Sequence, residues 1–109
     1  MLGWTIEDYR TPAGQSRLRQ FLDGLENQQD RKEAAALIKV LQIRGNLLRE
    51  PLSEALGEAL FELRGDQVRI FYTFRPGRRI VLLDGLIKKR GKVPPAILRR
   101  MRAMQKQVT

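Results

Sequence analysis

The sequence predicts an α+β domain: one small antiparallel sheet, made of an N-terminal strand and a three-stranded meander, with an N-terminal helical hairpin and a C-terminal helix. Three observations carry that prediction. Apolar residues recur at helical spacing before Gly45 and again after Pro94. Between Ala59 and Ile87 they recur at every second position. Two turn signals, Gly65-Asp66 and Pro76-Gly77, divide that middle stretch into three strands.

The elements follow in order. Trp4–Arg10 alternates, with Trp4 and Ile6 against Thr5 and Glu7, and reads as a short strand that Thr11-Pro12-Ala13-Gly14 ends. Leu18, Phe21, Leu22 and Leu25 line one face of a helix. Ala34, Leu37, Ile38 and Leu41 repeat the spacing, so a second helix runs from about Gln28 to Arg44, capped by Gly45-Asn46. Leu47–Gly57 contains Pro51 and reads as a connection. Ala59–Arg64, Val68–Arg75 and Ile80–Ile87 are the meander. Pro94-Pro95 suits the start of a last helix, striped by Ile97, Met101, Met104 and Val108.

With two-residue turns, Phe61, Leu63, Ile70, Tyr72, Phe74, Val81, Leu83 and Ile87 share one sheet face and meet the helices. Glu62, Arg64, Arg69, Phe71, Thr73, Leu82, Asp84 and Lys88 share the other, which is left open. Strands lie about 4.8 Å apart, so these charges converge. A fold with Arg64 and Arg69 on opposite faces would end this grouping.

Composition narrows the chemistry. A chain of 109 residues with 42% hydrophobic residues fits a single domain over residues 1–109. No apolar run approaches the roughly 20 residues of a membrane span, and no secretory leader is evident. There is no Cys and no His, which removes thiol metal sites, the commonest metal ligand and the usual general base. No metal and no cofactor are expected. The net charge is +9, and it is lopsided. Residues 1–59 hold 8 basic and 9 acidic side chains, whereas residues 60–109 hold 13 and 3. A one-signed half argues for a polyanionic partner.

Arg64, Arg69 and Lys88, followed by Lys89-Arg90-Gly91-Lys92, read as a phosphate-binding cleft, since the arginine fork suits phosphate oxygens. The competing reading of Arg69 is cross-strand pairing with Glu62 or Asp84. Tyr72, Trp4, Met101 and Met104 read as packing residues.

Phe61-Glu62-Leu63-Arg64, Val68-Arg69-Ile70-Phe71-Tyr72, Ile80-Val81-Leu82-Leu83-Asp84-Gly85-Leu86-Ile87-Lys88-Lys89 and Pro94-Pro95 resemble, in this order, the phage-derived branch of RelE/HigB-type toxins. That branch typically reads "ELR", "yRvlY", "ivlLhgF-x-KK" and "tP". Gln20-Phe21-Leu22 with Leu25, and Gly45 through Leu48 to Pro51, extend the resemblance over nearly the whole chain. Asp84 stands where the family often has His, and Leu86 where it often has Phe. The resemblance implies a RelE-like fold and the toxin of a type II toxin–antitoxin pair. Such toxins are cytoplasmic, enter the ribosomal A site, cleave mRNA there without a metal, and are neutralised by a cognate antitoxin, usually a helix-turn-helix protein.

Metal-free cleavage needs a base for the ribose 2′-OH and charge stabilisation at phosphorus. Arginine cannot be the base but can stabilise the phosphorane. The sequence therefore assigns Lys88 or Lys89 as base, and Arg64 and Arg69 as phosphate and transition-state stabilisers. Arg90, Lys92, Arg99, Arg100, Arg102 and Lys106 are assigned to RNA backbone contacts. Two other readings stand beside this one: a ParE-like inhibitor of DNA gyrase, and a degenerate basic module that binds RNA or antitoxin without turnover, which Asp84 favours.

Overall fold

The structure, a computed structural model, describes residues 3–88 and 92–108. It is the expected α+β architecture with one more strand than the sequence suggests. The elements are β1 (Thr5–Asp8), α1 (Arg17–Asp23), α2 (Gln28–Arg44), a single 3-10 turn (Gly45–Leu47), β2 (Ser53–Gly57), β3 (Leu60–Arg64), β4 (Val68–Arg75), β5 (Arg79–Ile87) and α3 (Pro95–Lys106). The five strands form one sheet in the order β1-β5-β4-β3-β2.

Local chemistry sets the element ends. The Ser16 hydroxyl accepts the Arg19 N–H and opens α1, and the Asn27 side chain accepts the Gln29 N–H and opens α2. Gly45 ends α2 at φ +53°, and its missing Cβ leaves room for the Trp4 indole that packs against it. Trp4 is thus a packing residue, as expected; its ring lies 5.1 Å from Phe74, and the Arg78 guanidinium sits 4.7 Å above it.

Three expectations need correction. Leu47–Gly57 is not all connection, because Ser53–Gly57 pairs antiparallel with β3 as an edge strand. The sheet is mixed, because β1 runs parallel to β5. The third concerns the faces. The hairpin of α1 and α2 covers one face, with Leu18, Leu37 and Leu41 against Leu63, Ile70, Tyr72, Ile80 and Leu82. The opposite face is not left open, since α3 crosses it and buries Met101 and Met104 against Leu60, Phe71, Val81 and Leu83.

The face error has a local cause. Arg75 pairs with Arg79, so the second turn holds three residues, Pro76, Gly77 and Arg78, with Gly77 and Arg78 both at positive φ. That extra residue moves Val81 to the α3 face and Leu82 to the hairpin face. A β-bulge then shifts the register between the Phe71–Asp84 and Tyr72–Leu82 pairs. Leu83 is the extra residue, and it joins Asp84 on the α3 face. Beyond the bulge the expected alternation returns. The first turn is also longer than two residues, but Arg64 pairs directly with Arg69, so the parity there holds.

Candidate functional site

The α3 face of the sheet has two halves. Over the end formed by Leu60, Thr73 and Val81, α3 lies across the strands. At the other end, β3, β4 and β5 bring Glu62, Arg64, Arg69 and Lys88 together.

Glu62 is the centre of this group. It is 4% exposed. Its Oε1 lies 3.6 Å from Nε of Arg64, and its Oε2 lies 3.9 Å from Nε of Arg69. Burial pushes the Glu62 carboxyl above its ordinary range, against the pull of Arg64, Arg69 and Lys88. The alternation that placed Glu62 on the charged face was legible, but its burial was not, because a strand glutamate reads as solvated.

The two arginines differ. Arg64 is 35% exposed at its side chain and reaches Glu54 on β2 at 3.3 Å. Arg69 is buried, and its Nη1 donates to the Gly65 carbonyl at 2.6 Å and to its neighbour Val68 at 3.0 Å. Arg64 can therefore grip an incoming anion, while Arg69 holds Glu62 and the β3–β4 turn from below. Of the two expected partners of Arg69, the structure gives it Glu62. Among the described residues, no ion pair engages Lys88. Lys89 and Arg90 lie outside the described residues.

The same turn is held from the helical layer. Glu33 on α2 accepts the backbone N–H groups of Asp66 (2.6 Å), Gln67 (3.0 Å) and Val68 (2.8 Å). Burial pushes its carboxyl up, but the three N–H donors outweigh that and leave it below its ordinary value.

Asp84 has a separate role. It is 4% exposed, accepts its own neighbour's N–H from Gly85 at 2.7 Å, and pairs with Arg100 at 3.2 Å and Arg17 at 3.7 Å. It fastens α3 and α1 to the bulge in β5 rather than engaging Arg69.

The remaining sequence-assigned cations divide by use. Arg100 is committed to Asp84. Arg102 donates to the carbonyls of Gly57 (2.8 Å) and Leu56 (2.9 Å), clamping α3 to the edge strand. Arg99 and Lys106 are exposed and line, with Arg102, a shallow hollow of about 550 Å³ on the outside of α3. Lys92 is exposed before α3. The arrangement offers one part-exposed arginine, one lysine and a buried carboxyl of raised affinity for a proton, beside a basic helix. Such a set can bind a phosphodiester and move a proton.

By sequence, residues 20–106 match the family described as phage derived protein Gp49-like (DUF891). No curated protein matches the sequence. Among solved structures, a chain of the toxin–antitoxin complex RelBE2 from Mycobacterium tuberculosis is similar, with a TM-score of 0.50 and 19% identity over 81% of this chain and 94% of that one. That likeness is one of fold.

Proposed function

The chain belongs to the Gp49-like family of phage-derived proteins, and from that premise we propose that it is the toxin of a toxin–antitoxin pair, a metal-independent endoribonuclease that cuts mRNA on the ribosome. The observation that carries the proposal is the meeting of Arg64, Arg69 and Lys88 around one buried carboxyl on the α3 face of the sheet. The likeness in fold to a chain of a toxin–antitoxin complex supports the same reading.

In the proposed mechanism, Arg64 turns from Glu54 and Glu62 to the scissile phosphate and stabilises the charge that develops on the phosphorane. Lys88 adds a second positive charge. Arg64, in turning, uncovers Glu62. The proton-transfer role that the sequence gives to Lys88 or Lys89 passes to Glu62, whose raised carboxyl is the better matched acceptor for a 2′-OH proton. Arg69 positions Glu62 and contacts no substrate. Arg99, Lys92 and Lys106 hold RNA backbone, with Arg100 and Arg102 adding charge while bracing α3.

The proposed partners are the ribosome, mRNA and a cognate helix-turn-helix antitoxin whose acidic segment covers the basic surface. The proposed compartment is the cytoplasm; no helix among the described residues is long and apolar enough to cross a membrane. The degenerate-module alternative loses its main support, because Asp84 is spent on Arg17 and Arg100.

The test is primer extension on mRNA in a reconstituted translation reaction containing EDTA-treated protein. Discrete cuts that vanish with Arg64→Ala are expected. Intact mRNA with induction of DNA damage in cells favours gyrase as the target instead.

A further inference from the structure

A second site lies on the opposite side of the sheet. Beyond the C-terminal end of α2, the hairpin face is not covered by a helix, and a hollow of about 310 Å³ opens there. Its walls include Phe61 and Phe74, both half-buried, with ring centroids 5.2 Å apart in an edge-to-face arrangement. Its floor holds the hydroxyls of Ser53 and Tyr72, which hydrogen-bond each other. Those residues are 5% and 1% exposed.

That pair is chemically incomplete. Two hydroxyls carry two protons, and the bond between them uses one. Among the described residues, no other group accepts the second. The floor therefore presents one spare O–H donor to whatever fills the hollow. At the rim stands Arg49, an exposed residue whose Nη1 is anchored by the Asn46 and Leu48 carbonyls. The rest of its guanidinium fork is uncommitted among the described residues.

We propose that this hollow binds a single nucleotide, with its base against Phe61 and Phe74, a base acceptor atom on the Ser53–Tyr72 pair, and its phosphate on Arg49. Aromatic walls accept any base face, a hydroxyl donor reads a ring nitrogen or carbonyl, and arginine suits the phosphate. The volume is at the lower end of small-molecule sites, which run from roughly 300 Å³ upward, and so excludes a large ligand. The site is independent of the ribonuclease reading and shares no residue with it. The nucleotide comes either free or as an unpaired residue of an RNA strand.

Trp4, the one tryptophan, packs 5.1 Å from Phe74 and reports on the hollow by fluorescence. The protein is titrated with each of the four ribonucleoside monophosphates, their nucleosides, and a short unstructured RNA. Saturable quenching by monophosphates identifies a free nucleotide as the ligand, and quenching by RNA alone identifies a strand residue. In either case Arg49→Gln weakens phosphate-bearing ligands by roughly tenfold, the scale of one charge-assisted bond, and leaves nucleosides unchanged. Ser53→Ala combined with Tyr72→Phe weakens both. Arg64→Ala leaves the binding intact while lowering cleavage by about two to three decades, so the two sites fail separately. Absence of saturable quenching, or binding that Arg49→Gln leaves untouched, overturns the proposal. A response to an acidic peptide in place of every nucleotide and RNA also overturns it.

Discussion

Arg64 and Arg69 are direct partners across the β3–β4 ladder, yet their side chains are 35% and 7% exposed, and Glu62 lies against both. Two arginines in register thus have different duties. Arg64→Ala is expected to lower mRNA cleavage by about two to three decades, the scale of one lost electrostatic donor, with little change in melting temperature. Arg69→Ala is expected to leave Glu62 short of a buried partner and to cost about 3 kcal/mol as well as activity. Thermal melts beside cleavage assays separate the two; a normal melt for Arg69→Ala contradicts its positioning role.

The raised Glu62 carboxyl makes a pH prediction with a definite sign. If Glu62 takes the 2′-OH proton, cleavage rises with pH through a midpoint above the ordinary carboxyl value of 4.5. Glu62→Gln lowers the rate and removes that rising limb. Its folded pKa lies above its unfolded one, so its contribution to stability is present below pH 4.5 and is lost as pH rises through the folded value. Urea unfolding of the native protein and Glu62→Gln across that interval measures the loss directly.

Glu33 gives the opposite sign. Its folded pKa is depressed, so its stabilisation is present above pH 4.5 and disappears as pH falls through the folded value. Glu33→Gln removes the charge from three backbone hydrogen bonds and is expected to cost about 2 kcal/mol at neutral pH. The difference between the two proteins should shrink in acid. Because the Gly65 carbonyl also anchors Arg69, cleavage should fall by more than the lost stability alone explains.

Gly85 lies where α1 presses on β5. A Cβ there would sit 2.4 Å from Cδ2 of Phe21. Gly85→Ala is expected to destabilise by about 1–3 kcal/mol through overpacking, and Phe21→Leu in the same chain should recover part of it. A thermal melt of the single and double variants decides this.

How much of this was legible in the sequence depended on whether a signal was local. The α2 boundaries, Gln28 to Arg44, followed from apolar spacing and a glycine stop. The placement of Arg64 and Arg69 on one face survived a longer turn because two added residues leave the pleat in phase. Strand β2 was hidden because Ser53, Glu54, Ala55 and Gly57 carry little β-preference; it is ordered by its neighbour and by Arg102 from far along the chain. The parallel seating of β1 beside β5 is a tertiary choice that no alternation encodes. The placement of α3 was equally silent, since a striped helix declares that it has a buried side but not which sheet face will bury it. At the candidate site the residue types were readable, whereas the rank of Arg64 over Arg69 came only from burial.

The three-residue turn at Pro76–Arg78 and the bulge at Leu83 are two insertions of one residue each. Deleting Arg78 alone would leave a two-residue turn with Arg75 still opposite Arg79, and deleting Leu83 alone would close the ladder with Phe71 still opposite Asp84, so neither deletion turns a flanking residue to the other face. A chain lacking both would show simple alternation along β5, but it would lose the Leu83 side chain from the cluster around Met101. Length variation among related chains can therefore occur at either place alone, because each extra residue is absorbed where it stands and the strands beyond it keep their seats.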